Sequence, residues 1–97
     1  MKLGIILATR DDLAHAVALA LAARRARHEV SLFAMDAGCH ALAQAPAQVA
    51  ALADADCELF ACSNSAVGIE LPDEVIRGSQ DDHAAVLATS DRVIALT

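Results

Sequence analysis

The stretch "KLGIILATRDDLAHAVALALAARRARHEVSLFAM", residues 2–35, changes its apolar pattern twice. Residues 2–8 are almost continuously apolar, which predicts a strand that is buried on both faces. From Leu13 to Leu21 the larger apolar residues recur at helical spacing, and residues 29–35 form a second short apolar run. A strand, a helix and a second strand in this order indicate a parallel β-α-β unit.

The remaining sequence repeats this alternation. Further strands are predicted at residues 57–63, 74–78 and 91–97, and further helices at residues 36–56 and 79–90, with a short helix after Asn64. Pro46 interrupts the helical segment and is predicted to be the first residue of its second half. The pattern predicts a single domain, residues 1–97. Its fold class is α/β, a flavodoxin-like open parallel sheet of four or five strands with helices on both faces.

Two pairs of residues have the spacing of a capping box, in which a hydroxyl and a carboxylate three residues later bind helix-terminal N–H groups. They are Thr9 with Asp12, and Ser79 with Asp82. Acidic residues at such positions also suit the positive end of the helix dipole. We therefore expect both pairs to cap the helices that follow them.

The composition excludes several classes of function. The 97 residues carry 13 acidic and 7 basic side chains, a net charge of −6, and no Tyr or Trp. Nucleic acid and anionic membranes both favour a basic surface, so neither is expected as a partner. No apolar run approaches the roughly 18 residues of a membrane span. Three cysteines, an odd number, fit a reducing compartment, and we expect a cytoplasmic protein.

The size and the motifs limit the function further. A domain of 97 residues buries a limited core, and we expect a homo-oligomer whose contacts add stability. The sequence has no P-loop, no G-x-G-x-x-G and no serine-nucleophile motif, and no cofactor is predicted. The cysteines and histidines lack the spacing of zinc ligands, so no metal site is predicted either.

Four polar segments follow the predicted strands and contain most of the residues that are useful for chemistry. They are residues 8–12, 35–40, 62–66 and 77–83. Because ligand sites of parallel sheets lie outside the carboxyl ends of the strands, we expect these segments to meet at one edge. The candidate site residues that they supply are Arg10, Cys39, His40, Cys62, Ser63, Asn64, Ser65, Gln80 and His83.

Cys62 is the best candidate for chemistry because it ends an apolar strand and precedes the predicted short helix. Backbone N–H groups and the helix dipole at that point favour a thiolate, which is the nucleophilic form of cysteine. Ser63, Asn64 and Ser65 add hydrogen-bond donors. The plainer alternative is an inert cysteine that fills the core.

The other cysteines and His83 have weaker claims. Cys57 lies five residues before Cys62, so the two side chains point to opposite faces of the strand, and Cys57 is expected to be structural. Cys39, beside His40, could receive sulfur from Cys62. It could also form a redox-sensing disulfide with Cys62 if their Cα atoms lie within about 7 Å. His83 could act as a proton shuttle.

Three stretches of the sequence resemble a known family. They are "LFACSNSAVGIE" at residues 59–70, "GSQDDH" at residues 78–83 and the closing "SDRVIALT". Together with the first strand, they make the whole chain similar to the DsrE/DsrF-like family of small sulfur-relay proteins. The resemblance implies a flavodoxin-like sheet, assembly into oligomers, and sulfur donor and acceptor proteins as partners.

The resemblance also implies a role for Cys62, which corresponds to the strand-three cysteine that carries a persulfide in some members. The chain would then be a sulfur carrier or an accessory of a sulfurtransferase. Residues 63–65 would hold the terminal sulfur, and Arg10, Gln80 and His83 would form the rim that partners touch. The alternative is a noncatalytic oligomeric module that binds a small anionic ligand at the carboxyl edge, through helix N-termini.

Overall fold

The computed structural model describes residues 1–97, which form five strands and four helices around one sheet. The strands are β1 (Lys2–Leu7), β2 (Glu29–Ala34), β3 (Glu58–Cys62), β4 (Ile76–Gly78) and β5 (Arg92–Leu96). The helices are α1 (Leu13–Arg25), α2 (Ala37–Ala43), α3 (Pro46–Asp54) and α4 (Gln80–Thr89). None of the helices combines the length and the apolar character that crossing a lipid bilayer requires.

All five strands are parallel and lie in the order β4-β3-β2-β1-β5. From β1 to β4 each connection moves the chain in one direction, so right-handed crossovers place α1, α2 and α3 on one face of the sheet. Strand β5 lies on the far side of β1, so the connection through α4 runs back over the opposite face. The chain therefore has the flavodoxin-like open parallel sheet, with helices on both faces, that its sequence predicts.

Two apolar clusters occupy the two faces of the sheet. The larger cluster has 16 buried residues and lies between the sheet and α1, α2 and α3. The smaller cluster lies beneath α4 and has four buried residues: Ile6, Phe33, Cys62 and Val86. The face that holds the smaller cluster, here called the α4 face, is covered by α4 alone.

The α4 face remains partly uncovered at both edges of the sheet. Ile76 in β4 pairs with Phe60, and Val93 in β5 pairs with Gly4, so both side chains lie on this face. Ile76 is 54% exposed and Val93 is 41% exposed. Strands β4 and β5 also have no neighbour on their outer sides, so each presents unpaired backbone groups there.

The helix ends agree with the sequence in two places and differ in one. The Ser79 hydroxyl accepts from the Asp82 N–H at 3.3 Å, and the Ser79 N–H donates to the Asp82 carboxylate at 2.7 Å, which confirms that capping box. Pro46 is the first residue of α3, as predicted. The expectation for Thr9 is wrong, because α1 begins after Asp12, which is itself the N-cap. Thr9 Oγ1 accepts from the Asp12 N–H at 3.3 Å and donates to the Asp12 carboxylate at 2.6 Å, but both bonds lie within the loop that precedes α1.

The short helix predicted after Asn64 does not form, and residues 63–68 are a series of turns. One hydrogen bond of helical type, from the Ala66 N–H to the Cys62 carbonyl at 2.9 Å, is present and is not continued. Gly68 has a φ of +76°, which ends the segment. So short a segment makes too few hydrogen bonds to offset the cost of nucleating a helix.

Gly38 allows α2 to lie directly against the end of β1. A Cβ at this position would overlap the carbonyl oxygen of Leu7, so no other residue type fits without movement of the backbone. This close approach places the next residue, Cys39, at the carboxyl edge of the sheet on the face of α1 and α3.

Candidate functional site

Cys62 is the last residue of β3 and pairs with Gly78 of β4 at the carboxyl edge of the sheet. Its side chain packs with Phe33 and Val86 beneath α4, and the residue is only 4% exposed. The two residues that follow it in the chain are exposed, as is Gln80 at the start of α4. The thiol is therefore buried, but it lies directly beneath surface residues.

The turn after β3 supplies donors that lower the pKa of the Cys62 thiol. The backbone N–H of Ser65 does most to lower the pKa of the Cys62 thiol, and the Ser65 hydroxyl and the Asn64 N–H add to this effect. Burial and the nearby Asp36 carboxylate act in the opposite direction, but the pKa stays below its usual value. On the other side of the sulfur, Nε2 of Gln80 lies 3.7 Å away and donates to it.

The cause of the lowered pKa differs from the one that the sequence suggests. Because residues 63–68 form turns, no helix begins after Cys62 and no helix dipole acts on its sulfur. Individual N–H and O–H groups of the turn stabilise the thiolate instead. The arrangement can therefore hold a negative charge on the Cys62 sulfur, or on an atom bound to it.

The other two cysteines have the opposite chemistry. Burial raises the pKa of the Cys39 thiol and of the Cys57 thiol, and in both it is the largest cause. Cys39 is fully buried, and its Sγ donates to the carbonyl oxygen of Ala34 at 3.5 Å. Cys57 precedes β3 and so lies at the amino edge of the sheet, far from the other two. Burial therefore favours the protonated thiol in both residues.

Cys39 and Cys62 are not joined by a disulfide in this structure. All three cysteines are free thiols. The side chain of Cys39 belongs to the larger cluster, on the face of α1 and α3, whereas that of Cys62 belongs to the smaller cluster on the α4 face. The two residues are nevertheless neighbours at the carboxyl edge, because the Cys62 N–H lowers the pKa of the Cys39 thiol and the Cys62 thiol raises it.

The remaining predicted site residues fall into two groups. His83 stacks on Phe33 with ring centroids 4.9 Å apart and so shares the α4 cluster with Cys62, while Ser63 donates its N–H to the carbonyl of Gly78 at 2.9 Å. Arg10 and His40 are exposed, and their side chains make no hydrogen bond or ion pair. Arg10 also follows β1, which β2 separates from β3, so the structure does not bring it to the Cys62 sulfur.

Comparison with known proteins agrees with this architecture. The model of the DsrE/DsrF-like family matches residues 1–96. The chain belongs to the DsrE/DsrF-like family. It is also similar to the crystal structure of the ychN protein from E. coli, with a TM-score of 0.80 and 20% sequence identity over 99% of each chain. That likeness shows a shared fold. Among curated proteins none matches the chain.

Membership of the DsrE/DsrF-like family supports a sulfur-relay-like role at the level of the family. The family resemblance read from "LFACSNSAVGIE" and the closing strand is thereby confirmed. At the level of residues, the donors around the Cys62 sulfur are the feature of this chain that such a role can use.

The surface cavities of this DsrE/DsrF-like chain lie away from Cys62. Two of them, of about 320 and 350 Å³, are near the amino edge of the sheet and share Arg24 and Asp56 in their walls. A third, of about 410 Å³, lies between α1 and β5 and is lined by His15, Leu19 and Leu96 among others. None includes Cys62 or the turn that follows it, so this edge offers no preformed cavity for a small ligand.

Two residues of the site were not singled out by sequence reasoning. Asp36, with a φ of +50°, is close enough to Cys62 to raise the pKa of its thiol. Arg77 donates its guanidinium to the carbonyl oxygens of Ala66, at 3.0 Å, and Ile69. The sequence places residue 77 at the carboxyl edge, but it carries no signal for which carbonyls lie within reach of its side chain.

Proposed function

We propose that this chain is a cytoplasmic sulfur carrier in which Cys62 accepts a persulfide sulfur. The observation that supports it most is the set of donors on the Cys62 sulfur, which makes Cys62 the one cysteine of three with a lowered thiol pKa. The thiolate is the nucleophile in sulfur transfer, so this cysteine has the largest reactive fraction at neutral pH. Three free thiols also suit the reducing cytoplasm.

The transfer step needs no cofactor. The Cys62 thiolate attacks the outer sulfur of a donor persulfide, R–S–SH. A new bond forms between Sγ and that sulfur, the S–S bond of the donor breaks, and the donor leaves as its thiolate, R–S⁻. The proton stays on the transferred sulfur, and the sum of the oxidation states does not change. Cys62 then carries –S–SH, which can be passed to an acceptor protein by the same exchange.

The groups that lower the pKa of the Cys62 thiol are also placed to hold the transferred sulfur. The N–H groups of Asn64 and Ser65, the Ser65 hydroxyl and the Gln80 amide are the donors. A persulfide anion carries its charge on the outer sulfur, which is one S–S bond away from Sγ, so donors that act on Sγ are near the outer sulfur as well. We assign Ser63 and His83 to the rim that a donor or acceptor protein touches.

A transfer to Cys62 requires access that the 4% exposed residue does not have at rest. The groups above the sulfur are the Gln80 side chain and the turn of residues 63–68. Gln80 is exposed, and Ala66 is the only buried residue of the turn. We infer that rotation of the Gln80 side chain, whose amide lies 3.7 Å from the sulfur, opens the thiol. A docked donor protein can supply the contacts that favour this movement.

The experiment is intact-mass analysis of the reduced protein after exposure to a persulfide donor, with Cys62→Ser beside it. Cys39→Ser and Cys57→Ser are matched controls, since each removes one thiol from a different place in the fold. We expect the wild type and both controls to gain one sulfur that a reductant removes, and Cys62→Ser to gain none. Equal loading of Cys62→Ser would refute the proposal.

The second candidate function is a noncatalytic module that binds a small anion at the same edge. The convergent donors of Asn64, Ser65 and Gln80 favour it, and the absence of a cavity beside them opposes it. A sulfate titration that raises the melting temperature equally in the wild type and in Cys62→Ser would favour the binding module over the carrier.

We also propose that copies of the chain associate through the α4 face. Ile76 and Val93 are exposed apolar side chains on either side of α4, and contact with a second copy would remove them from water. Burial of this face would add to the limited core of a small domain.

A further inference from the structure

The turn of residues 63–68 makes one backbone hydrogen bond to β4 and others within the segment itself. The Ser63 N–H donates to the Gly78 carbonyl at 2.9 Å at one end of the turn. In the middle, the Ala66 N–H donates to the Cys62 carbonyl at 2.9 Å, and the Ile69 N–H donates to the Ala66 carbonyl at 3.0 Å. No backbone hydrogen bond therefore joins the end of the turn, or Ile69 directly after it, to β4.

The side chain of Arg77 joins this end of the turn to β4 instead. It lies in β4 opposite Ala61, and its guanidinium reaches the carbonyl oxygens of both Ala66, at 3.0 Å, and Ile69. The two donors are Nη1 and Nη2, so the planar guanidinium bonds two carbonyls at once, an arrangement that the single ammonium group of lysine does not reproduce. The Ala66 carbonyl, which accepts from Arg77, belongs to the residue directly after Ser65.

We propose that Arg77 is a positioning residue, which holds the turn of residues 63–68 in the conformation that presents the N–H groups of Asn64 and Ser65 and the Ser65 hydroxyl to the Cys62 sulfur. Arg77 makes no hydrogen bond to that sulfur and acts through the turn. The inference deepens the proposed function and rests on it for its importance in sulfur transfer. The state of the thiol itself can be measured without any sulfur donor.

Several charged or titratable groups face the Cys62 sulfur and its surroundings. They are Asp36 at the N-cap of α2, Cys39 in α2, Arg77 from β4, and Asp82 and His83 from α4. Asp82 is engaged in the capping box with Ser79, and His83 is stacked on Phe33, so a variant at position 77 leaves these contacts in place. The test must therefore distinguish the effect of the positive charge of Arg77 from the effect of its hydrogen bonds to the turn.

The test measures the rate of Cys62 alkylation against pH for the wild type, Arg77→Met and Arg77→Lys, in a background with Cys39→Ser and Cys57→Ser. Arg77→Lys keeps the positive charge but cannot bond both carbonyls with a planar fork. We expect both variants to shift the midpoint upward, Arg77→Met by about one pH unit, which makes the reaction about tenfold slower below the midpoint. Arg92→Met is the control, since Arg92 is an exposed arginine of β5 that bonds only the Asp91 carbonyl.

Three results would overturn the proposal. The first is a wild-type midpoint in both variants at position 77. The second is a wild-type midpoint in Arg77→Lys with a shift in Arg77→Met, because the charge alone would then explain the effect. The third is an equal shift in Arg92→Met. If Arg77→Met does not fold, Arg77→Lys against the wild type decides. Because no persulfide is used, the two proposals are tested separately. Sulfur transfer to Cys62 can fail while Arg77 still positions the turn, and Cys62 can accept sulfur even if Arg77 has no such role.

Discussion

Ser65 is the residue that most distinguishes Cys62 from the other two cysteines. Its N–H and its hydroxyl both lower the pKa of the Cys62 thiol, whereas Cys39 and Cys57 have burial as their main influence. A cysteine at the end of a buried strand is ordinarily a packing residue. In this chain the turn that follows the strand changes its chemistry.

At the residue scale we predict that Ser65→Ala raises the midpoint of Cys62 alkylation by roughly half a pH unit, since one of several hydrogen bonds to the thiolate is lost. The Ser65 N–H, which has the larger effect, remains, so the shift is partial. The measurement is the alkylation rate between pH 6 and 10 (roughly the range that spans an ordinary thiol pKa). Ser63→Ala removes a neighbouring hydroxyl that makes no hydrogen bond to the sulfur, and it should leave the midpoint unchanged. A downward shift in Ser65→Ala would contradict the assignment.

At the element scale, the N-terminal ends of the two longest helices, α1 and α4, are capped in different ways. Helix α4 has a complete capping box at Ser79 and Asp82, while the Asp12 side chain at the start of α1 makes no capping hydrogen bond. The first turn of α4 also carries two acidic residues, Asp81 and Asp82, which suit the helix dipole.

We predict that Ser79→Ala lowers the free energy of unfolding by about 1 kcal/mol, because it removes the acceptor for the Asp82 N–H. Thr9→Ala is the matched control and should cost less, because Thr9 bonds Asp12 in a loop and caps no helix. Urea unfolding of the three proteins gives both values. An unchanged free energy of unfolding in Ser79→Ala would contradict a stabilising capping box.

The sequence reveals the elements whose signal is local. The apolar run of residues 2–8, the helical spacing that follows it, and Pro46 each specify an element by the residues within it, and all three are observed. The segment after Cys62 lacks that property, because its conformation depends on Gly78 and Arg77, which come from another strand. The sequence therefore locates the candidate cysteine, and only the tertiary contacts explain how its charge is held.

At the scale of the whole molecule the distribution of helices is uneven. Three helices cover one face of the sheet and one covers the other, a direct result of right-handed connections in the strand order β4-β3-β2-β1-β5. The uncovered parts of the α4 face carry Ile76 and Val93. Cys62 lies on the same face, so association of two copies there would also affect access to its thiol.

We predict that the wild-type chain is larger than a monomer in sedimentation equilibrium, and that Ile76→Glu or Val93→Glu shifts it toward the monomer. Since each copy carries a net charge of −6, added salt should strengthen the association by screening the repulsion between copies. Ala51→Glu is the control, because Ala51 is exposed on α3, on the opposite face. A monomeric wild type, or an equal effect of Ala51→Glu, would contradict association through the α4 face.

The pairing of the last strand with the first has a consequence for how the protein is made. Strand β5 adds to the sheet beside β1, where the Lys2 N–H bonds the Asp91 carboxylate at 2.7 Å and the Asp91 N–H bonds the Lys2 carbonyl at 2.8 Å. During translation, β1, β2 and β3 leave the ribosome before α4 and β5 do, because they come first in the chain. A nascent chain at that stage has its Cys62 face bare, open to chaperones and to small thiol reagents. Newly synthesised copies therefore pass through a period in which this thiol is far more accessible than it is in the finished protein.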